Sequence, residues 1–402
     1  MKGRALVAAM SAAQLGSLLP HVVVPAVMPA YLIPLWNLSY SDAGLMAASY
    51  AAGYMVAVPF LTTLTDRVDA RTVLVWGSAT SGAATIAFGL FADGLLSAVL
   101  LWCLAGIGFA GAYMPGLKAL TDRLDPGDAS RSVTLYTASF SAGVGLSFLA
   151  SQLVAGQWGW RAAFILTGCG PAIMAGVALA LKPVPPAPRA GKLLDFRPVL
   201  ANRTALGYML GYGAHCFELY GMRTWIVAFW GFVVARAGDA SIPDAITVSV
   251  LVTVLALPAS VLGNEAALRW GRHRAISVVM FASATVALAI GLSAGFSPWL
   301  SLALLIAYAF TVPADSGALT SGMSAAAEPR YRGATLALHS TIGFGLSAAG
   351  GWAVGAALDA FGGAMSSSGW LAAHAVLAGG ILLGPLALWW SRKPSRGSTS
   401  RG

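Results

Sequence analysis

Residues 94–117 read GLLSAVLLWCLAGIGFAGAYMPGL, and this run contains no charged side chain before Lys118. About 20 consecutive apolar residues are enough for a helix to cross the hydrocarbon core of a bilayer. Similar runs follow one another along the 402-residue chain, in which 57% of residues are hydrophobic and only 10% are charged. A soluble domain carries about 25% charged residues, so the sequence predicts an all-α integral membrane protein that faces mostly lipid.

The apolar runs predict twelve transmembrane helices in two groups of six. We place them at 5–36, 42–64, 72–92, 94–119, 131–155 and 161–182, and at 205–235, 243–264, 274–295, 298–323, 332–360 and 369–391. The first run continues to Trp36, so we interpret it as a retained helix and not as a signal peptide. The proline-rich stretch KPVPPAPR at 182–189 suits neither a span nor a packed element. The predicted units are a bundle at 1–182, a cytoplasmic linker at 183–204, a bundle at 205–391 and a cytoplasmic tail at 392–402.

The distribution of basic residues predicts the orientation in the membrane. Lys and Arg accumulate in loops that remain in the cytoplasm. With a cytoplasmic N-terminus and twelve spans, only Arg161, Arg223 and Arg236 lie outside the cytoplasmic segments. We therefore expect a multi-pass protein of the bacterial inner membrane with both termini in the cytoplasm. The net charge of +9 is spread over short loops, so no nucleic-acid partner is expected.

Short motifs recur in the same order in the two halves. Because each half contains an even number of spans, a duplicated six-helix unit inserts both copies the same way up, as parallel repeats. The recurring pairs are Ala119-Leu-Thr121 with Ala318-Leu-Thr320, Arg131-x-x-Thr134-Leu135 with Arg332-x-x-Thr335-Leu336, Gly143-x-Gly145-Leu146-Ser147 with Gly343-x-Gly345-Leu346-Ser347, and Gly159-Trp160-x-Ala162-Ala163 with Gly369-Trp370-x-Ala372-Ala373.

The loop after the second predicted helix carries a recognisable signature. Asp66-Arg67-Val68-Asp69-Ala70-Arg71, echoed at 268–274 as LRWGRHR, resembles the loop signature of the major facilitator superfamily, although two glycines and one basic position of the first copy do not match. The resemblance implies two six-helix bundles that alternate access to a central cavity. We expect the loop charges to form cytoplasmic ion pairs that hold the outward-open state. The residues concerned are Asp66, Arg67, Arg71, Glu265, Arg269 and Arg272.

Three ionisable side chains lie in the seventh predicted helix: His215, Glu218 and Arg223. A charged side chain in hydrocarbon costs at least about 2.5–3.5 kcal/mol, so each is a functional candidate. His215 and Glu218 share a helix face, whereas Arg223 is rotated by roughly 140° from Glu218. We interpret Glu218 with His215 as a proton carrier, and Arg223 as the partner of another helix or of an anionic substrate. A structural ion-pair network between helices is the alternative.

Two further candidates lie beside prolines. Asp315 follows Pro313 in the tenth predicted helix, where a loosened backbone would let a carboxylate exchange protons or contact substrate. Hydrogen bonding of Asp315 to a neighbour is the alternative. His21 follows Pro20 in the first helix. The resemblance implies that helices 1, 4, 7 and 10 line the cavity, which would bring His21 to its wall.

The predicted function is secondary active transport of a small solute, a polar or anionic organic metabolite, by a proton-coupled permease. The Gly-x4-Gly-Lys-Ser/Thr loop that binds nucleotide is missing from the sequence, so a gradient or exchange supplies the energy. A multidrug efflux antiporter is the alternative, although residues 141–147 lack the Gly-Pro-x-x-Gly-Gly pattern of drug/proton antiporters. A non-transporting sensor on the same fold is a second alternative.

Enzymatic chemistry is not expected. The Asp-Ser-Gly sequence at 315–317 lacks the strand-turn-helix setting of a nucleophilic serine. The three cysteines lie singly in apolar segments without metal-ligand spacing, so we expect no metal and no cofactor. Gly106-x-Gly108-x-x-Gly111 imitates a dinucleotide fingerprint but lies inside a predicted helix, which indicates a close-packing site. The expected partners are a small-molecule substrate, protons and the lipid bilayer, and the expected state is a monomer.

Overall fold

A computed structural model describes residues 3–124, 129–186, 196–238 and 241–392. The described residues form helices joined by short turns, and none of them lies in a β-strand. The first half contains α1 (Gly3–Ser17), α2 (Val23–Val27), α3 (Ile33–Trp36), α4 (Tyr40–Leu64), α5 (Ala70–Phe91), α6 (Leu95–Thr121), α7 (Ala129–Trp158) and α8 (Trp160–Leu179). The second half contains α9 (Arg197–Ala201), α10 (Arg203–Ala237), α11 (Ala245–Trp270), α12 (Arg272–Ser293), α13 (Pro298–Thr311), α14 (Ser316–Ala326), α15 (Arg332–Ala360) and α16 (Ser367–Ser391).

Ten segments of the described chain are long and apolar enough to cross a membrane, with α13 and α14 forming one of them. α10 has 35 residues, which gives a length of about 50 Å, but it carries several ionisable side chains. The remaining segment is the divided helix formed by α1, α2 and α3. These are the twelve predicted segments, and the prediction of an all-α membrane protein is confirmed.

Two of the twelve predicted helices are interrupted, and the loosened backbone expected beside Pro313 is one of the two places. The first leaves the α-helix between α1 and α2 and then passes through a π-helical turn at Met28–Leu32. The tenth passes through a 3-10 turn at Val312–Asp315. Pro20 and Pro313 lack the N–H group that would continue the hydrogen-bond ladder, and each lies at one of these interruptions. His21 and Asp315 therefore lie at breaks in the helical backbone.

Short polar residues determine where several helices begin. The side chains of Ser39, Asp69, Asn202 and Asp244 each accept a hydrogen bond from a backbone N–H in the first turn of the helix that follows. The first N–H groups of a helix have no partner within the helix, so such caps stabilise the start by about 1 kcal/mol. These caps fix the first residues of α4, α5, α10 and α11.

The two halves pack in the same way. In the first half α1 packs on α7 and α8, and α4 packs on α6; in the second half α10 packs on α15 and α16, and α11 packs on α13. Equivalent helices of the six-helix unit thus make equivalent contacts. Between the halves α4 packs on α15 and α7 packs on α11, which are again equivalent pairs. The predicted parallel repeat is confirmed.

Polar contacts join the halves at one end of the bundle, which we call the Asp359 end. Asp359 lies in the last turn of α15 and accepts hydrogen bonds from the backbone N–H of Tyr40 at 2.9 Å and of Ser41 at 2.7 Å, and from the Ser41 hydroxyl. Nearer mid-depth, Gln152 Nε2 donates to Ser249 Oγ across the halves at 2.9 Å. The opposite end, which carries the linker, is called the linker end.

Glycines bring α4 and α15 into backbone contact beside Asp359. A Cβ atom on Gly44 would lie 2.9 Å from the carbonyl oxygen of Gly351, and one on Gly355 would overlap the carbonyl group of Tyr40. Side chains are therefore excluded from this contact, which we call the glycine seam. The protein is closed at the Asp359 end.

The glycine motif at 106–111 is a helix contact, as predicted. A Cβ atom on Gly106 would overlap the carbonyl group of Tyr50 in α4. Gly108 meets the backbone of Ser81, and Gly111 meets Gly77, both in α5. Small residues at such spacing let helix backbones approach closely within a membrane, so the motif fastens α6 between α4 and α5.

Candidate substrate and proton sites

A cavity lies between the halves at mid-depth. The volume within which the centre of a water molecule can lie is about 30 Å³. The cavity is therefore large enough for water but too small for an organic solute. Arg223 is the only cation among the described residues of its wall, and that wall contains no carboxylate. The wall is formed by His21, Val22, Pro25, Ala47, Tyr50, Ala51 and Trp102 of the first half and by Tyr220, Arg223, Thr224 and Phe344 of the second.

Arg223 brings a buried guanidinium group to this wall. The residue is only 5% exposed, and its Cζ atom lies 5.6 Å from the centroid of the Tyr220 ring. Among the described residues it forms no ion pair. Burying a charge is costly unless an opposite charge and hydrogen bonds accompany it. The tyrosine ring face supplies part of that compensation, and a bound anion would supply the rest.

His21 faces Arg223 from the first half. Its ring is surrounded by those of Tyr50, Phe109 and Phe140, with centroids 5.2 to 5.4 Å away. Its Nε2 atom lies 3.5 Å from the Tyr220 hydroxyl, while its buried Nδ1 atom has no hydrogen-bond partner among the described residues. The break after α1 allows the side chain to reach this position.

A buried ion pair lies deeper in the second half. His215 Nδ1 is 2.6 Å from Asp315 Oδ1, with side chains that are 3% and 1% exposed. Neither atom has a hydrogen-bond partner among the described residues. His339 stacks on Tyr212 nearby, with centroids 3.9 Å apart.

Glu218 points away from the cavity toward other helices of its own half. Its Oε1 atom accepts hydrogen bonds from Ser283 of α12 and Tyr308 of α13, each at 2.9 Å. The residue is fully buried, and Oε2 has no partner among the described residues. Although His215 and Glu218 lie one turn apart, the structure pairs His215 with Asp315 instead.

The sequence comparison with family models gives a match over residues 6–351 to the Major Facilitator Superfamily. The chain belongs to that superfamily. It is therefore a multi-pass membrane transporter, and the family resemblance inferred from the loop signature is confirmed.

A protein with related sequence is the probable anion transporter 4, chloroplastic, of Arabidopsis thaliana. It is 31% identical over 149 residues, which make up 37% of this chain and 27% of that protein. The chain thus matches about a quarter of the length of this relative.

Solved superfamily structures share the fold. A bacterial homologue of the human lysosomal transporter Spinster, described as inward-facing and occupied, has a TM-score of 0.72 and 18% identity, covering 96% of this chain and 94% of that one. The nucleoside transporter NupG has a TM-score of 0.71 and 14% identity, with 96% and 99% covered. The POT family transporter PepTSo has a TM-score of 0.73 and 12% identity, with 97% and 98% covered. At these identities the likeness concerns the fold alone.

The superfamily loop signature lies between α4 and α5 at the linker end. Asp66 is half-buried and Arg67 is exposed, while Arg71 Nη2 donates to the carbonyl oxygen of Leu179 at 3.0 Å. In the second half Glu265 and Arg269 are exposed on the last turns of α11, and Arg272 begins α12. The predicted gating role of these six residues remains a prediction.

Asp69 is the residue of this loop that forms a described ion pair. Arg123 Nη2 lies 2.9 Å from Asp69 Oδ2, and the N–H of Val184 donates to the same carboxylate at 2.8 Å. Burial acts to raise the pKa of Asp69, but hydrogen bonds from Val184, Arg71 and Arg123 outweigh it and hold the pKa below its usual range. These contacts attach the beginning of the linker to the first half.

Several of these residues were not among the sequence candidates. Asp69 was within the quoted signature, and its place before a helix was the signal that would have identified it as a cap. Asp359, Tyr220 and Tyr308 gave no sequence signal, because their partners lie on helices distant in the chain.

Proposed function

We propose that this transporter carries a small organic anion in symport with protons. The observation that supports the proposal is the buried guanidinium group of Arg223, which faces the cavity without an ion-pair partner among the described residues. The name of the Arabidopsis relative, an anion transporter, agrees with it. The positive charge of Arg223 would repel a cationic drug. Efflux of amphiphilic cations is therefore the less favoured function.

The geometry of guanidinium suits this role. Its planar fork presents parallel N–H donors to a carboxylate or phosphate group. Leaving one charge of a buried pair unmatched is destabilising by about 3–5 kcal/mol. The unliganded protein therefore carries a penalty that a bound anion relieves, which favours binding of anions over neutral solutes of the same size.

We assign proton transfer to the His215–Asp315 pair, with Glu218 as the second candidate. His215 and Arg223 are eight residues apart on α10, about 12 Å along the helix axis. A positive charge at that distance opposes the binding of a proton to the pair. An anion that neutralises Arg223 would therefore make protonation of the pair more favourable, so substrate and proton would bind together.

Uptake into proteoliposomes tests the anion proposal. A panel of labelled organic anions, organic cations and neutral solutes would be offered under an imposed pH gradient to the parent protein and to Arg223→Gln. Arg161→Gln is the matched control, because Arg161 donates to the carbonyl groups of Gly89 and Leu90 at the end of α5, away from the cavity. We expect anion uptake that is lost in Arg223→Gln and retained in Arg161→Gln. Uptake of cations alone, or anion uptake that survives in Arg223→Gln, would contradict the proposal.

A second pair of variants tests the proton assignment. Asp315→Asn should abolish gradient-driven accumulation while exchange of substrate between equal pools continues. Glu218→Gln should retain accumulation if the carboxyl group only fastens α10 to α12 and α13. If instead Glu218→Gln abolishes accumulation and Asp315→Asn retains it, the proton carrier is Glu218.

We further infer that the transporter works as a monomer in the inner membrane of a bacterial cell, with both termini in the cytoplasm. The grouping of Lys and Arg supports the orientation. Asp66, Arg67 and Arg71, together with Glu265, Arg269 and Arg272, would then face the cytoplasm and pair in the outward-open state. A crosslink between the two loops that can form only when the linker end is closed would test whether these residues pair in that state.

A further inference from the structure

We propose that the cavity accepts a monocarboxylate with a flat aromatic body, which places its carboxylate on Arg223 and its ring between aromatic side chains of the two halves. This inference rests on the proposed anion transport and narrows its substrate class. Three features of the cavity carry it: a single cation, aromatic walls on both sides, and an unpartnered polar atom on His21.

The charge of the cavity wall sets the charge of the occupant. Among the described residues of the wall, Arg223 is the one cation, and no lysine or second arginine accompanies it. A monocarboxylate is matched by one guanidinium group through two parallel hydrogen bonds. A dicarboxylate or a phosphate dianion would bring a second negative charge, and the described residues of the wall include no second cation to balance it. The wall therefore favours a single negative charge.

The rings of the wall set the shape of the occupant. In the first half the rings of Tyr50 and Trp102 lie 4.8 Å apart between centroids, inclined by 35°. In the second half those of Tyr220 and Phe344 lie 5.8 Å apart, inclined by 50°. All four line the cavity, so a planar ring that enters between the halves meets ring faces and edges on both sides. Such contacts favour an aromatic ring over a saturated one of similar size.

His21 provides an independent indication of a ligand. It is only 5% exposed, it lines the same cavity, and its Nδ1 atom has no hydrogen-bond partner among the described residues. Buried polar atoms in proteins are nearly always hydrogen-bonded. A polar group of the substrate, or a water molecule that it retains, would satisfy this atom. Because the present cavity has room only for water, the substrate enters when the halves separate at the linker end.

Calorimetry on the purified full-length chain in lipid nanodiscs tests the inference. The probes are benzoate, cyclohexanecarboxylate, benzamide, phthalate and inorganic phosphate at one pH at which benzoate is ionised. We expect benzoate to bind about two- to tenfold more tightly than cyclohexanecarboxylate, which is the difference that one aromatic contact gives. Benzamide should bind about tenfold more weakly or worse, because it cannot form the charged contact with Arg223. Phthalate and phosphate should also bind more weakly than benzoate.

Variants of Tyr50 separate the ring contact from general damage to the fold. Tyr50→Leu should lower the ratio of benzoate to cyclohexanecarboxylate affinity, and Tyr50→Phe should retain the ratio, since its ring remains. Tyr31→Leu is the matched control: it removes a tyrosine of the same half whose hydroxyl donates to Ala155 O, outside the cavity wall. It should leave the ratio unchanged.

The outcomes distinguish this inference from the proposed function. Equal affinities of the parent protein for benzoate and cyclohexanecarboxylate would overturn the aromatic assignment. Tighter binding of phthalate or phosphate, if lost in Arg223→Gln, would overturn the single-charge assignment and leave anion transport in place. Failure of all anionic probes to bind, or binding that Arg223→Gln does not weaken, would overturn both.

Discussion

Asp359 fastens the two halves at the closed end, and its removal should shift the conformational balance of the transporter. Asp359 accepts hydrogen bonds from the N–H groups of Tyr40 and Ser41, the first two residues of α4. These N–H groups have no partner within their own helix. A carboxylate from the second half thus acts as the cap of a helix in the first half. Opening at this end must break the contact.

The size of the effect follows from the capping geometry. Replacing a helix cap costs about 0.5–2 kcal/mol, and a negative charge at a helix N-terminus contributes a further 0.3–1 kcal/mol at exposed positions. Asp359→Asn keeps one acceptor oxygen but loses the charge and the second acceptor. We therefore expect a loss of about 1–2 kcal/mol from the closed state alone, which corresponds to a five- to thirtyfold change in the ratio of closed to open molecules.

Cysteine labelling measures this ratio. In a variant without native cysteines, Ala47→Cys in the cavity wall would report access from the Asp359 end to a membrane-impermeant maleimide. The labelling rate should rise five- to thirtyfold in Asp359→Asn. The matched control is Asp244→Asn, because Asp244 caps α11 at the same end within one half, by accepting from Thr247 N at 2.8 Å. An unchanged rate in Asp359→Asn, or an equal rise in Asp244→Asn, would refute the role of Asp359 between the halves.

Three further changes have defined expectations. Asp66→Asn should slow transport and leave membrane insertion intact, and transport at the parental rate over a range of substrate concentrations would exclude a gating role. Asp69→Asn should lower the free energy of unfolding by about 1–3 kcal/mol at neutral pH. Because the pKa of Asp69 is lower in the folded protein than in the unfolded chain, the stabilisation by its carboxylate is complete above about pH 4 and is lost as the pH falls through the folded-state pKa. The difference in melting temperature between the variant and the parent should therefore disappear only in acid. Gly106→Ala should lower the melting temperature, because the new methyl group overpacks against Tyr50 and reduces the free energy of unfolding by about 1–3 kcal/mol. Gly176→Ala should leave the melting temperature unchanged, because no atom lies within 4 Å of the new Cβ.

The architecture was predictable from the sequence because it depends on local information. Length and hydropathy of the runs identify spans, and the recurring motifs identify the duplicated unit. The loosened backbone beside Pro313 was predicted, but the interruption beside Pro20 was not, since proline also occurs in membrane helices that neighbouring groups keep intact. The sequence locates a proline but gives no information about which neighbours satisfy the freed backbone groups.

The arrangement of the candidate residues was only partly predictable. Helical spacing correctly placed His215 and Glu218 one turn apart, but spacing within one helix does not determine which other helix each side chain faces. The contact of His215 with Asp315 depends on how α10 packs against the tenth segment. The same limit applies to Asp359, whose partners lie more than three hundred residues earlier in the chain. These contacts depend on packing between helices that are distant in the sequence, and no sequence motif predicts them.

The glycine seam limits which substitutions the closed end of this transporter can accept. Where backbone meets backbone at Gly44 and Gly355, no side chain is available to be enlarged or shortened in steps. A substitution there either fits and leaves the closing motion unchanged, or prevents the halves from meeting. Small changes in the rate of the transport cycle must therefore arise through polar contacts such as that of Asp359. In a saturation mutagenesis screen, we expect substitutions in the seam either to retain transport or to abolish it, with few intermediate values.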